Sequence, residues 1–131
     1  MFGCEDGWTK FESNCYKAFK EEVDFSTAEG KCNSFGGHVT SIHSVAENDF
    51  ISKLNSASKL WVGATWTGKK WVWKDGTSWE FTHWWFGEPN DPNKEPCIGQ
   101  WKDRKSKWND VKCSSRDSAF VCKVSKHRHI L

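Results

Sequence analysis

Several groups of side chains in this chain could do chemistry. The six cysteines are Cys4, Cys15, Cys32, Cys97, Cys113 and Cys122. No two of them form a C-x-x-C pair, so a zinc ribbon is not expected. An even number in a short domain points instead to three disulfides and an oxidising compartment. Six cysteines allow fifteen pairings, and spacing alone chooses none of them. The acids and asparagines between Thr77 and Asn109 form a second group. Taken alone, Glu88-Pro89-Asn90 and Pro89-Asn90-Asp91 read as solvated turn formers. Paired acids such as Glu88 and Glu95 would suit a glycosidase if one of them kept a proton. The chain has no Gly-x-Ser-x-Gly elbow, phosphate loop or His-Glu-x-x-His helix. His127 and His129 in the tail are metal-binding candidates without partners, and His38, His43 and His83 have no acid or cysteine at a recognised spacing.

The elements that must position these groups follow from composition and pattern. A chain of 131 residues fits one domain, with residues 124–131 as a short tail. Apolar content of 37% excludes a disordered chain, and no run of 18 apolar residues suits membrane insertion. Met1-Phe2-Gly3-Cys4 opens without a basic region or hydrophobic stretch, so no signal peptide is expected. A net charge of +2 is too balanced to indicate nucleic acid. Most of the ten tryptophans are expected in the core and in the walls of a loop-rich region.

Gly7 to Phe19 reads as a strand broken near Ser13-Asn14. Asp24 caps a helix expected to reach about Phe35, where Gly36-Gly37 ends it. Ser44-Val45-Ala46-Glu47 is a capping box opening a second helix to about Leu54. Leu60–Ala64 and Lys70–Lys74 are short strands around a Gly68 turn, and Phe120–Val124 is a C-terminal strand. Thr77 to Asn109 lacks periodicity but is rich in aromatics, which marks a long functional loop rather than disorder. The fold class is therefore α+β.

Cys4-x-x-Gly7-Trp8, Asn14-Cys15-Tyr16, Trp61-Val62-Gly63, Trp71-Val72-Trp73, Glu88-Pro89-Asn90, Trp108-Asn109-Asp110, Cys113 and Phe120-Val121-Cys122 occur in that order. The ordered set, from about Cys4 to Lys123, resembles the C-type lectin domain. The resemblance implies the pairings Cys4–Cys15, Cys32–Cys122 and Cys97–Cys113, the second contributing roughly 4–5 kcal/mol in the chain-entropy view. It also implies a secreted binding protein, not an enzyme. In place of the usual Trp-Ile-Gly-Leu the strand ends in Ala64, a smaller core side chain.

The resemblance implies a calcium site at Glu88, Asn90, Glu95, Asn109 and Asp110, of the mannose-type pattern with a cis Glu88–Pro89 bond. Calcium takes six to eight oxygen ligands. Two vicinal sugar hydroxyls would complete them while hydrogen-bonding the same five side chains, selecting mannose, fucose or N-acetylglucosamine on cell or microbial surfaces. The alternative is a C-type-lectin-like domain for a protein or other non-sugar ligand, but such members typically lose the ligand set. Acids bound to calcium stay ionised, which counts against the glycosidase reading.

One calcium ion is expected. The loop Thr65-Trp66-Thr67-Gly68-Lys69-Lys70 carries no acid, Trp66 stands where an Asp is usual, and Pro96 follows Glu95. Asp91 is left for turn formation or support of the main site. Carboxylates ordinarily ionise near pH 4, so binding is expected to fade at about pH 4–6. Lys102, Arg104, Lys105 and Lys107 read as a solvated basic hairpin, with a subsite for sulfated or acidic sugars as the alternative. No coiled-coil segment is present, so a homo-oligomer would have to use the domain's own surface.

Overall fold

In the computed structural model, which describes residues 3–125, Asp24 caps α1 (Phe25–Asn33) by accepting a hydrogen bond from the Thr27 amide at 2.9 Å. The helix stops two residues short of Phe35, and Gly36 follows with φ +83°. Gly37 is required for a different reason: a Cβ there would lie 2.4 Å from the Lys123 carbonyl oxygen. Ser44 caps α2 (Val45–Leu54), accepting from the Glu47 amide at 3.0 Å. Glu47 reaches back as a capping box requires, but to the amide of His43 at 2.8 Å.

The strands are β1 (Thr9–Phe11), β2 (Asn14–Val23), β3 (His38–Val39), β4 (Lys59–Trp66), β5 (Trp71–Trp73), β6 (Cys97–Trp101), β7 (Lys107–Val111) and β8 (Ser118–Ser125). Their order is β1-β2-β8-β4-β6-β7, with β3 on β8 and β5 on β4. All pairings are antiparallel except β4 with β8, which meet in parallel at Leu60 and Ala119. The disulfides join Cys4 to Cys15, Cys32 to Cys122 and Cys97 to Cys113, as the resemblance implies. His127 and His129 lie outside the described residues.

One expectation is corrected. The stretch Thr77–Asn109 is irregular only as far as Pro96, because Cys97–Val111 is a hairpin of β6 and β7 joined through a 3-10 turn at Lys102–Arg104. Its regularity was hidden because β6 reads Cys-Ile-Gly-Gln-Trp, with Gly99 and a buried Gln100 interrupting the apolar pattern. The Gln100 amide nitrogen donates to Asn48 O and Oδ1 on α2, while its Oε1 is buried without a partner.

The core runs on both sides of β4. One cluster holds Tyr16, Ile42, Ile51, Leu60, Val62, Ile98 and Trp108, and Trp61 and Phe120 anchor the other. Gly63 allows the β3–β4 approach, since a Cβ there would lie 1.9 Å from the Val39 carbonyl oxygen. Between the layers sits a buried ion pair, Lys123 with Glu47 at 2.7 Å, only 9% and 6% exposed. The Tyr16 hydroxyl donates to the same carboxylate at 2.5 Å, and burial followed by the charge of Glu47 pushes its pKa far up. Glu47→Ala would strand the Lys123 charge and should cost about 3–5 kcal/mol in urea unfolding. A loss under about 1 kcal/mol would show that Lys123 finds another partner.

Candidate functional site

The irregular segment after β5 is held by tryptophan. Trp108 on β7 is fully buried, and its indole N–H donates to Asn48 Oδ1 at 2.9 Å. Trp73, Trp79, Phe81 and Trp84 pack around its ring at centroid distances of 5.9–6.2 Å. The Trp108 amide donates to His83 O and its carbonyl accepts from the Trp85 amide, both at 2.8 Å. The segment thereby runs along the outer edge of β7, the last strand in the order. It then turns tightly: the Glu88 amide donates to Trp85 O at 2.9 Å, with Gly87 at φ +81°. Phe86 caps this turn at 92% exposure. The Glu88–Pro89 bond that follows is cis.

The turn brings the predicted residues to the end of β7. Asp110, 2% exposed, accepts from the amides of Asn90 (3.2 Å) and Asp91 (2.8 Å). Its carboxylate is close enough to Glu88 for a proton to be shared, and both Asp110 and Glu95 raise the Glu88 pKa electrostatically. Burial first, and then these neighbours, push Glu88 up to about 7, with Arg104 opposing them. Glu95 is likewise raised, by burial and then by Asp110 and Asp91, against Lys112. Asn109 is the fifth residue. Its Nδ2 donates to the Asp110 carbonyl oxygen at 3.3 Å, while its Oδ1 is buried without a hydrogen-bond partner. A buried carbonyl oxygen left unpaired is costly, and a hard cation would satisfy it. The five residues are neighbours, yet among the described residues no three acids, histidines or cysteines are closed around one point. Asn109 and Asp110 leave the strand on opposite faces.

Asp91 supports this arrangement through its backbone. Its carbonyl oxygen accepts from the Lys94 and Glu95 amides at 3.1 and 2.9 Å. Trp66, in the acid-free loop, donates its indole N–H to Asn93 Oδ1 at 3.0 Å, so that an indole bridge ties the two loops together.

The basic hairpin does not form one patch. Lys102 turns inward, donating to Ser52 O at 2.6 Å, Ser52 Oγ at 3.2 Å and Asn55 O at 2.8 Å. A cation is favoured there at the C-terminus of α2, and burial pushes its pKa down. Lys105 is exposed on a turn at φ +57°, and Lys107 faces His83. Arg104 alone approaches the carboxylates, with Nη1 3.7 Å from Glu88 Oε2. Sequence reasoning missed this pairing because a 3-10 turn and a cis bond intervene.

The sequence profile of a family described as "Lectin C-type domain" matches residues 21–124. A C-type lectin, lectoxin-Lio1 of Erythrolamprus poecilogyrus, is 38% identical over 92% of this chain and 80% of its own length. A calcium-independent type II antifreeze protein superposes with a TM-score of 0.89 at 28% identity, covering 95% of this chain and 96% of the other. The C-type lectin domain of murine dendritic cell inhibitory receptor 2, solved with an N-glycan, superposes with a TM-score of 0.84 at 34% identity over 95% and 100% of the two chains.

The raised Glu88 pKa carries a stability signature. The folded, metal-free state holds the proton more tightly than the unfolded chain, so this contribution is full below about pH 4.5 and is lost as pH rises through about 7. In chelator, Glu88→Gln should therefore melt higher than the parent at pH 8 and close to it at pH 5. The same melting difference at both pH values would show that Glu88 does not face other carboxylates.

Proposed function

The chain belongs to the C-type lectin domain family, and on that footing we propose that it binds mannose-type glycans through one calcium ion held by Glu88, Asn90, Glu95, Asn109 and Asp110. Two observations support this reading: the carboxylates of Glu88, Glu95 and Asp110 lie near enough to act on one another electrostatically, and the Oδ1 of Asn109, next to Asp110 in the chain, is buried without a partner. All the donors are hard oxygens, as calcium prefers, and the mutual repulsion of the carboxylates favours a divalent cation. These five residues would hold the ion, and calcium's demand for six to eight oxygens would leave room for vicinal sugar hydroxyls. Glu88 and Glu95 would accept hydrogen bonds from those hydroxyls, and the amides of Asn90 and Asn109 would donate to them. Mannose, fucose and N-acetylglucosamine offer the equatorial pair this needs.

Members of the family are generally binding proteins rather than enzymes. Three disulfides suit secretion, and no described helix is long and apolar enough to cross a membrane. The competing reading, a non-sugar ligand, draws on the likeness to a calcium-independent antifreeze protein. Against it stands the filled ligand set. A single calcium ion is supported by Trp66, which stands where an acid is usual in the family and gives its indole N–H to Asn93.

Retention on mannose resin in calcium, with release by a chelator, tests the proposal directly; binding undiminished in excess chelator would sink it. Calorimetric titration should give a calcium stoichiometry near one. Because Glu88 takes up a proton near pH 7, affinity should begin to fall just below neutrality, earlier than ordinary carboxylates would dictate. Glu88→Gln combined with Asn90→Asp reverses donor and acceptor across Pro89 and should shift preference toward galactose. An unchanged mannose preference would show that other contacts decide specificity.

A further inference from the structure

From the geometry around Arg104 we infer, resting on the proposed calcium-dependent sugar site, that this domain prefers mannose-type sugars carrying a sulfate or phosphate ester, with the Arg104 guanidinium as the anion contact. The platform for Arg104 is Trp101. The Nε1 edge of its indole lies against Gly99, where a Cβ would come within 2.8 Å of Trp101 Nε1, so glycine gives the ring its place. The guanidinium carbon of Arg104 stands 4.7 Å from the Trp101 ring centroid, within cation–π range. Lys59 takes the same ring at 4.3 Å, but its ammonium is bound to Asp117 at 2.9 Å. Arg104 is different. At 3.7 Å from Glu88 it is held by charge alone, and no hydrogen bond among the described residues engages it. A planar fork of N–H donors, held against a ring with its donors unspent, is the group that recognises a sulfate or phosphate in bidentate fashion.

The charge balance points the same way. Glu88, Glu95 and Asp110 leave a residual negative charge around a divalent ion, which would repel an anionic sugar. Arg104 beside Glu88 and Lys112 beside Glu95 offset it. Of the four basic residues of the hairpin, Lys102 is spent on α2 and cannot contribute.

The test compares methyl α-mannoside, mannose 2-sulfate, mannose 6-sulfate and mannose 6-phosphate in saturating calcium, by calorimetry, for the parent, Arg104→Gln and Arg104→Lys. At least one anionic sugar should bind the parent about two- to fivefold tighter than the neutral one, the range of an exposed ion pair. The sulfate and phosphate arms distinguish the two esters. Arg104→Gln should bring that ratio to one or below, and Arg104→Lys should restore part of it. In 1 M salt, where screening acts over about 3 Å, the preference should vanish. Without sugar, Arg104→Gln should bind calcium more tightly, because a tethered cation has left the site. Calcium-dependent binding of methyl α-mannoside with no tighter anionic sugar would overturn the inference alone, as would a preference that survives Arg104→Gln or an unchanged calcium affinity in that variant. Absence of any calcium-dependent binding of methyl α-mannoside would instead remove the sugar site itself, and the inference with it.

Discussion

Everything on the loop side of this domain depends on the burial of Trp108. Its ring fills the space between the sheet and the irregular segment, its indole N–H is committed to Asn48 on α2, and its backbone holds residues 83–85 against the edge of β7. A fully buried indole with its donor satisfied gains apolar area without a polar penalty. Asn109 and Asp110 follow directly in the chain, so anchoring Trp108 also fixes the origin of the candidate ligands. The segment needs no regular structure because Trp73, Trp79 and Trp84 supply its order through ring contacts. A loop built in this way keeps its carboxylates close together even though they repel one another.

Two charge clusters show opposite solutions to the same problem. In the core, Glu47 meets Lys123, Tyr16 and the His43 amide, and Lys123 also reaches Ser41. Ser41 in turn donates to Asp75, at the start of the irregular segment. Burial works to raise the Asp75 pKa, but hydrogen bonds from Ser41 and Thr77 outweigh it and hold the carboxyl below its usual range. That cluster is complete within the chain and ties down the base of the loop. At the far end Glu88, Glu95 and Asp110 gather with too little positive charge between them, and Glu88 answers by holding a proton to near neutrality. A cluster satisfied internally stabilises the fold, whereas one left short of a cation is equipped to bind one.

A recess of about 390 Å³ lies elsewhere, lined by residues that include His43, Asp75 and Lys123, and the carboxylate cluster is no part of it. If a sugar binds at the carboxylate cluster as proposed, one monosaccharide offers few contact atoms, so a single site would bind weakly and useful avidity would come from several sites presented together.

The sequence alone determined the helix caps at Asp24 and Ser44, because capping is a contest among a few neighbouring groups and leaves a local signature. The ordered motifs carried the family, and with it the cysteine pairings and the identity of the five candidate ligands. Only the tertiary structure decided that Cys97–Val111 is a hairpin, since a buried Gln100 and a glycine against an indole make sense only once α2 and Trp101 are packed against them. The same holds for Lys102 and Arg104, two residues apart in one basic run. One is drawn inward by the carbonyl oxygens at the end of α2, and the other is held outward on Trp101 beside Glu88. Charge can be counted along a chain, but its direction is set by the acceptors and rings that folding brings alongside, and these lie dozens of residues away in sequence.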